Sequence, residues 1–103
     1  MSFTLSLGPK ANMQTIADAW ASLADALESH ASLVLDLSDV ADADLTLVQL
    51  VETARQHAVR DSRALRLSAP ANPAVAALLA RAGFLTEPSP ETLEFWFHGE
   101  LPQ

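Results

Sequence analysis

Apolar and polar residues alternate at the start of the chain, with Phe3, Leu5 and Leu7 set against Ser2, Thr4 and Ser6. This is the period of a strand with one buried face. Gly8-Pro9 ends it. From there the spacing lengthens. Ile16, Trp20, Leu23 and Leu27 recur at helical intervals, with Ala19, Ala24 and Ala26 widening the stripe, and predict an amphipathic helix ending near Ser29 or His30. Its start falls after Asn12 or after Thr15, since either side chain can cap, and a short strand fits between Ala11 and Gln14.

Leu33-Val34-Leu35-Asp36-Leu37 is almost uniformly apolar, as expected of a central strand covered on both faces. Ser38, Asp39, Asp42 and Asp44 follow in a turn rich in residues that bond their own backbone. Leu47, Leu50, Val51, Ala54 and Ala58 then mark a second helix, ended by Asp61-Ser62, and Thr46 with Gln49 has the form of a capping box. Ala64 to Ala69 reads as a strand with Leu65 and Leu67 inward and Arg66 and Ser68 outward. Asn72-Pro73 is an N-cap followed by a proline at the first helical position. Val75, Leu78, Leu79 and Ala82 form the stripe of that third helix, and Gly83 closes it. Leu93, Phe95 and Phe97 alternate with Glu94, Trp96 and His98, which predicts a last strand. Trp96 and His98 are then either part of an exposed interface or covered by a helix.

The order β-α-β-α-β-α-β, with room for an extra early strand, predicts an α/β fold. It consists of a single mixed β-sheet of four to five strands with about three helices, in one domain spanning residues 1–103. Ile16, Trp20, Leu50, Val51, Leu78 and Leu79 are its expected core.

Composition narrows the function. The 103 residues suit one domain, and the longest apolar runs fall far short of a bilayer span. The N-terminus has no basic start followed by an apolar stretch, so the expected location is the cytoplasm. Thirteen acidic residues oppose six basic ones, and the net charge of −7 disfavours nucleic acid and direct membrane binding. Arg55, Arg60, Arg63 and Arg66 are either a local basic strip or ordinary solvated surface. With no cysteine, ungrouped glycines and His30, His57 and His98 far apart, there is no nucleophile elbow, phosphate loop or ligand cluster. The expectation is no enzyme, no cofactor and no metal. Asp42 and Asp44 lack a third ligand and read as turn and cap residues.

Leu33 to Val40, then Asp44-Leu45-Thr46-Leu47-Val48-Gln49-Leu50-Val51, then Ala64 to Leu67 and Ala82-Gly83-Phe84 resemble the STAS family of sulfate transporters and anti-sigma-factor antagonists. The resemblance implies a STAS-like fold and a non-catalytic regulatory module. It places Asp44 on the family's conserved-motif Asp and Thr46 on the phosphorylated hydroxyl. Leu45 and Leu47 stand where other members carry Ser and Gly. The implied partner surface comprises Asp42, Asp44, Leu45, Thr46, Leu47 and Gln49. The implied partner is a regulatory protein, a serine/threonine kinase of the anti-sigma type or another signalling component such as one of a chemotaxis pathway. The alternative is the cytoplasmic accessory subunit of a lipid-transport ABC system.

Two roles stay open for Thr46. As a phospho-acceptor it would gain a charge of about −1.5 to −2 beside Asp42 and Asp44 and repel a partner. As a plain N-cap, its hydroxyl would accept the Gln49 N–H.

Overall fold

The computed structural model describes residues 3–86 and 88–99. In chain order these form β1 (Phe3–Ser6), β2 (Lys10–Ala11), α1 (Ile16–Ser29), β3 (Ser32–Asp36), β4 (Asp42–Ala43), α2 (Leu45–Arg60), β5 (Ala64–Leu67), α3 (Pro73–Arg81) and α4 (Pro90–Phe97). The fold is α/β and STAS-like, as expected from the sequence. The main sheet runs β1-β3-β5, and β2 pairs with β4 in a two-stranded sheet of its own. Every strand pairing among the described residues is parallel. Parallel neighbours need crossovers, and α1 and α2 supply them for the main sheet.

β3 is central, as its apolar run predicts, with Leu33 and Leu35 fully buried against the helices. Its other face differs from expectation. Val34 is aligned with Thr4 on one side and Arg66 on the other, and both of these are exposed. Val34 is shielded by those flanking side chains and lies outside the main core cluster, so the helices cover one face of the sheet and the opposite face is polar. Leu23, Leu47, Val51, Leu67, Val75, Leu79 and Trp96 complete the innermost layer.

The segment expected to be a last strand is the helix α4. Ser89 caps it, its hydroxyl accepting the Thr92 N–H at 3.1 Å, and Pro90 occupies the first turn. Phe95, Trp96 and Phe97 are buried in succession, which a strand with one buried face cannot achieve. Trp96 is therefore covered, while His98 ends the helix in a left-handed conformation and is exposed. The sheet consequently has fewer strands and the domain one more helix than the sequence pattern suggests. α3 begins and ends as predicted: Asn72 accepts the Val75 N–H, and left-handed Gly83 allows Phe84 N–H to reach the Leu79 carbonyl at 3.0 Å. α1 starts after Thr15, not Asn12, although the Thr15 hydroxyl faces back to Asn12 and does not cap.

Candidate functional site

The predicted site lies where the loop after β3 enters α2, and four sets of bonds hold that loop. Asp36 accepts from Ser38 through both its backbone N–H, at 2.9 Å, and its hydroxyl, at 2.6 Å. These bonds, the hydroxyl's first, keep the Asp36 carboxyl below the usual carboxylate range. The Pro9 carbonyl accepts the N–H groups of Ala41 and Asp42, which brings β4 alongside β2. The Asn72 side-chain amide donates to the carbonyls of Leu37, Ser38 and Val40, the last at 2.8 Å. Finally, Met13 N–H donates to Asp44 Oδ2 at 3.0 Å from 31 residues away.

Asp44, not Thr46, is the N-cap of α2. Its Oδ1 accepts the Thr46 N–H at 3.0 Å and also the Thr46 hydroxyl hydrogen. The capping box expected between Thr46 and Gln49 is not formed, because the carboxylate two residues earlier already satisfies the first turn. The Thr46 hydroxyl bond, followed by the Met13 N–H, holds the Asp44 carboxyl below the usual carboxylate range, against a smaller opposing effect of burial. The carboxylate thus orients the Thr46 hydroxyl at the positive end of the helix, leaving its oxygen as the outward acceptor.

The predicted surface residues divide into two groups. Asp42, Leu45 and Gln49 are exposed, Leu45 at 47 %, and Thr46 and Asp44 are half-buried. Leu47 is fully buried and supports the surface from beneath. Gln49 lies between two grooves that the sequence reading missed. On one side a cavity of about 290 Å³ is lined by Ile16, Ala17 and Trp20 of α1 with Thr46, Leu50 and Thr53 of α2. On the other, a cavity of about 230 Å³ is lined by Leu45, Val48 and Glu52 of α2 with Ala82 and Phe84. Ile16 and Trp20, expected in the core, are half-buried because they wall the first groove.

The remaining candidates are dispersed. His30 stacks on Phe3, His57 meets Trp20 edge-on and His98 contacts the Leu67 carbonyl. Arg55 pairs with Glu52 and sits over the Phe95 ring, Arg60 pairs with Asp61, and Arg63 donates to the Glu28 carbonyl. Arg55 and Arg60 line one cavity and Arg60 and Arg63 another, while Arg66 is exposed on β5. Among the described residues no helix is long and apolar enough to cross a membrane.

The family model described as the Mlab STAS domain matches residues 2–86. The chain belongs to the STAS family. The matched segment contains the Asp44–Thr46 cap and both groove-forming faces of α2, and it ends before α4. No curated protein and no solved structure matches the chain. STAS domains are generally non-catalytic regulatory modules of the anti-sigma-antagonist or sulfate-transporter-associated kind.

Proposed function

We propose that this STAS domain is a cytoplasmic, non-catalytic docking module that binds a regulatory protein through the start of α2. The observation that carries this reading is an uncharged ridge, Leu45, Thr46 and Gln49, flanked by two apolar grooves and ending at the acidic pair Asp42 and Asp44. A partner with apolar side chains for the grooves fits this surface. A serine/threonine kinase of the anti-sigma type has that requirement, because it must also present its active site to Thr46. Phosphate on Thr46 would set a charge of about −1.5 to −2 beside Asp44 at the mouth of the first groove and would oppose binding.

A second reading has the same surface permanently engaged as an accessory subunit of a lipid-transport ABC system. It is favoured by the Thr46 hydroxyl being hydrogen-bonded to Asp44 and flanked by Leu45 and Leu47, since that assembly needs no modification.

Calorimetry with a purified serine/threonine kinase of the anti-sigma type and a purified ATPase of a lipid-transport ABC system tests both. Thr46→Glu should weaken kinase binding by tenfold or more while Thr46→Ser preserves it, with melting curves of both variants close to wild type. Kinase-dependent phosphate on Thr46 would support the switch. A tight complex with the ATPase, unchanged by Thr46→Ser and without phosphate transfer, would support the second reading. Loss of neither complex on Leu45→Asp or Gln49→Arg would remove this surface from consideration.

A further inference from the structure

The two edges of the main sheet are treated differently. On β5, the N–H groups of Ala64 and Ser68 donate inward, to the carbonyls of Ala31 and Leu35, so the backbone groups of Leu67 face outward. His98 covers that edge, its Nε2 lying 3.1 Å from the Leu67 carbonyl, and the Trp96 carbonyl accepts the Ala71 N–H just beyond it. α4 thus meets the β5 edge at Leu67.

β1 has no such cover among the described residues. Leu7 N–H donates to the Asp36 carbonyl, so by alternation Phe3, Leu5 and Leu7 bond into β3 while the N–H and C=O groups of Thr4 and Ser6 point away from the sheet. The strand is short, but it carries no charge and no proline between Phe3 and Leu7. Phe3 is 41 % exposed, with His30 stacked on one face of its ring.

We infer that the outer edge of β1 pairs with the β1 edge of a second copy of this chain, antiparallel about a two-fold axis at Leu5. The pattern Phe3-Thr4-Leu5-Ser6-Leu7 is self-complementary in this register. Thr4 and Ser6 exchange about four ladder bonds with Ser6 and Thr4 of the other copy. Phe3 comes opposite Leu7 and Leu5 opposite Leu5, on the face that β1 shares with the core. The exposed Phe3 ring is thereby covered. A second copy fits better than an acidic or basic foreign strand because this edge is neutral in a chain of net charge −7, so pairing like with like brings no charges into contact. Gly8-Pro9 stops the ladder, and so short an interface, well below the size of stable dimers, makes the association weak.

Sedimentation velocity from about 10 μM to about 1 mM tests this, with exchange of the Thr4 and Ser6 amides measured over the same range. Wild type should shift from monomer to dimer, and those two amides should gain protection with concentration while the Leu5 amide does not change. Thr4→Pro removes an outward donor that the monomer does not use and should weaken association about tenfold or more. Thr4→Lys, a milder change on the exposed face, should do the same, and melting curves establish that both variants fold. A monomer throughout the range, or a dimer that both variants leave unchanged, would overturn the inference.

Discussion

Replacing Asn72 separates two jobs done by one side chain. Its Oδ1 caps α3 by accepting the Val75 N–H at 2.9 Å, and its Nδ2 donates to the carbonyls of Leu37, Ser38 and Val40 in the loop that leads to the start of α2. Asp keeps the cap, since Asn and Asp are nearly equivalent at that position, but turns the donor into an acceptor facing three carbonyls. Losing the donor costs about 1–3 kcal/mol, because Val40 is buried and its carbonyl has no ready access to water. Asn72→Ala loses the donor and the cap together, a further ~1 kcal/mol. Urea unfolding should therefore place Asn72→Asp and Asn72→Ala both below wild type, with unchanged m-values. Because the loop is released in both variants, both should also bind the partner more weakly than their stability alone predicts. If Asn72→Asp unfolded at the wild-type urea concentration, the bonds to the loop would contribute nothing and the assignment of Asn72 as its clamp would fall.

Trp96→Ala should lose about 3–5 kcal/mol in urea unfolding, because the indole is fully buried and anchors α4 against α2 with its Nε1 directed at Glu52. Ser62→Gly should stabilise by about 1 kcal/mol, raising the melting temperature by roughly 4–8 °C, since Ser62 ends α2 with φ of 56° and lets the Arg63 N–H reach the Ala58 carbonyl. Asp36 and Asp44 both have folded-state pKa values below those of the unfolded chain, so the unfolded state binds more protons in acid. Their contribution is complete above the unfolded carboxylate pKa of about 4 and is lost as pH falls through the folded values. The urea midpoint should drop across that window, and less steeply in Asp44→Asn.

The helices that carry two independent signals were legible in the sequence. α3 has both its cap, Asn72-Pro73, and its glycine stop, and was placed correctly at each end. α4 has the same signature in Ser89-Pro90, yet Leu93, Phe95 and Phe97 fall by coincidence on a period of two, and that pattern concealed the cap. At the site, the local pattern pointed to a cap at Thr46 with Gln49, whereas Asp44 supplies it, and the anchor of Asp44 is equally absent from the pattern. Met13 reaches Asp44 only because β2 and β4 lie side by side, and a bond spanning 31 residues leaves no trace in a local pattern. The grooves beside α2 were hidden for a related reason: whether Ile16 and Trp20 face the core or a cleft depends on how far α1 sits from α2, which periodicity does not encode.

The all-parallel pairing also governs how the chain comes together in time. Phe3 meets Leu33, Lys10 meets Asp42 and Leu33 meets Leu65, so each strand pairing closes a loop of about 30 residues. Among the described residues no two-residue hairpin is available as an early nucleus, and the loop entropy is spent before any ladder repays it. During synthesis β1 precedes its partner β3 by about 30 residues, so it waits without that partner until β3 has also left the ribosome; delay over that interval lengthens the time a neutral strand is exposed to other nascent chains and favours aggregation over folding.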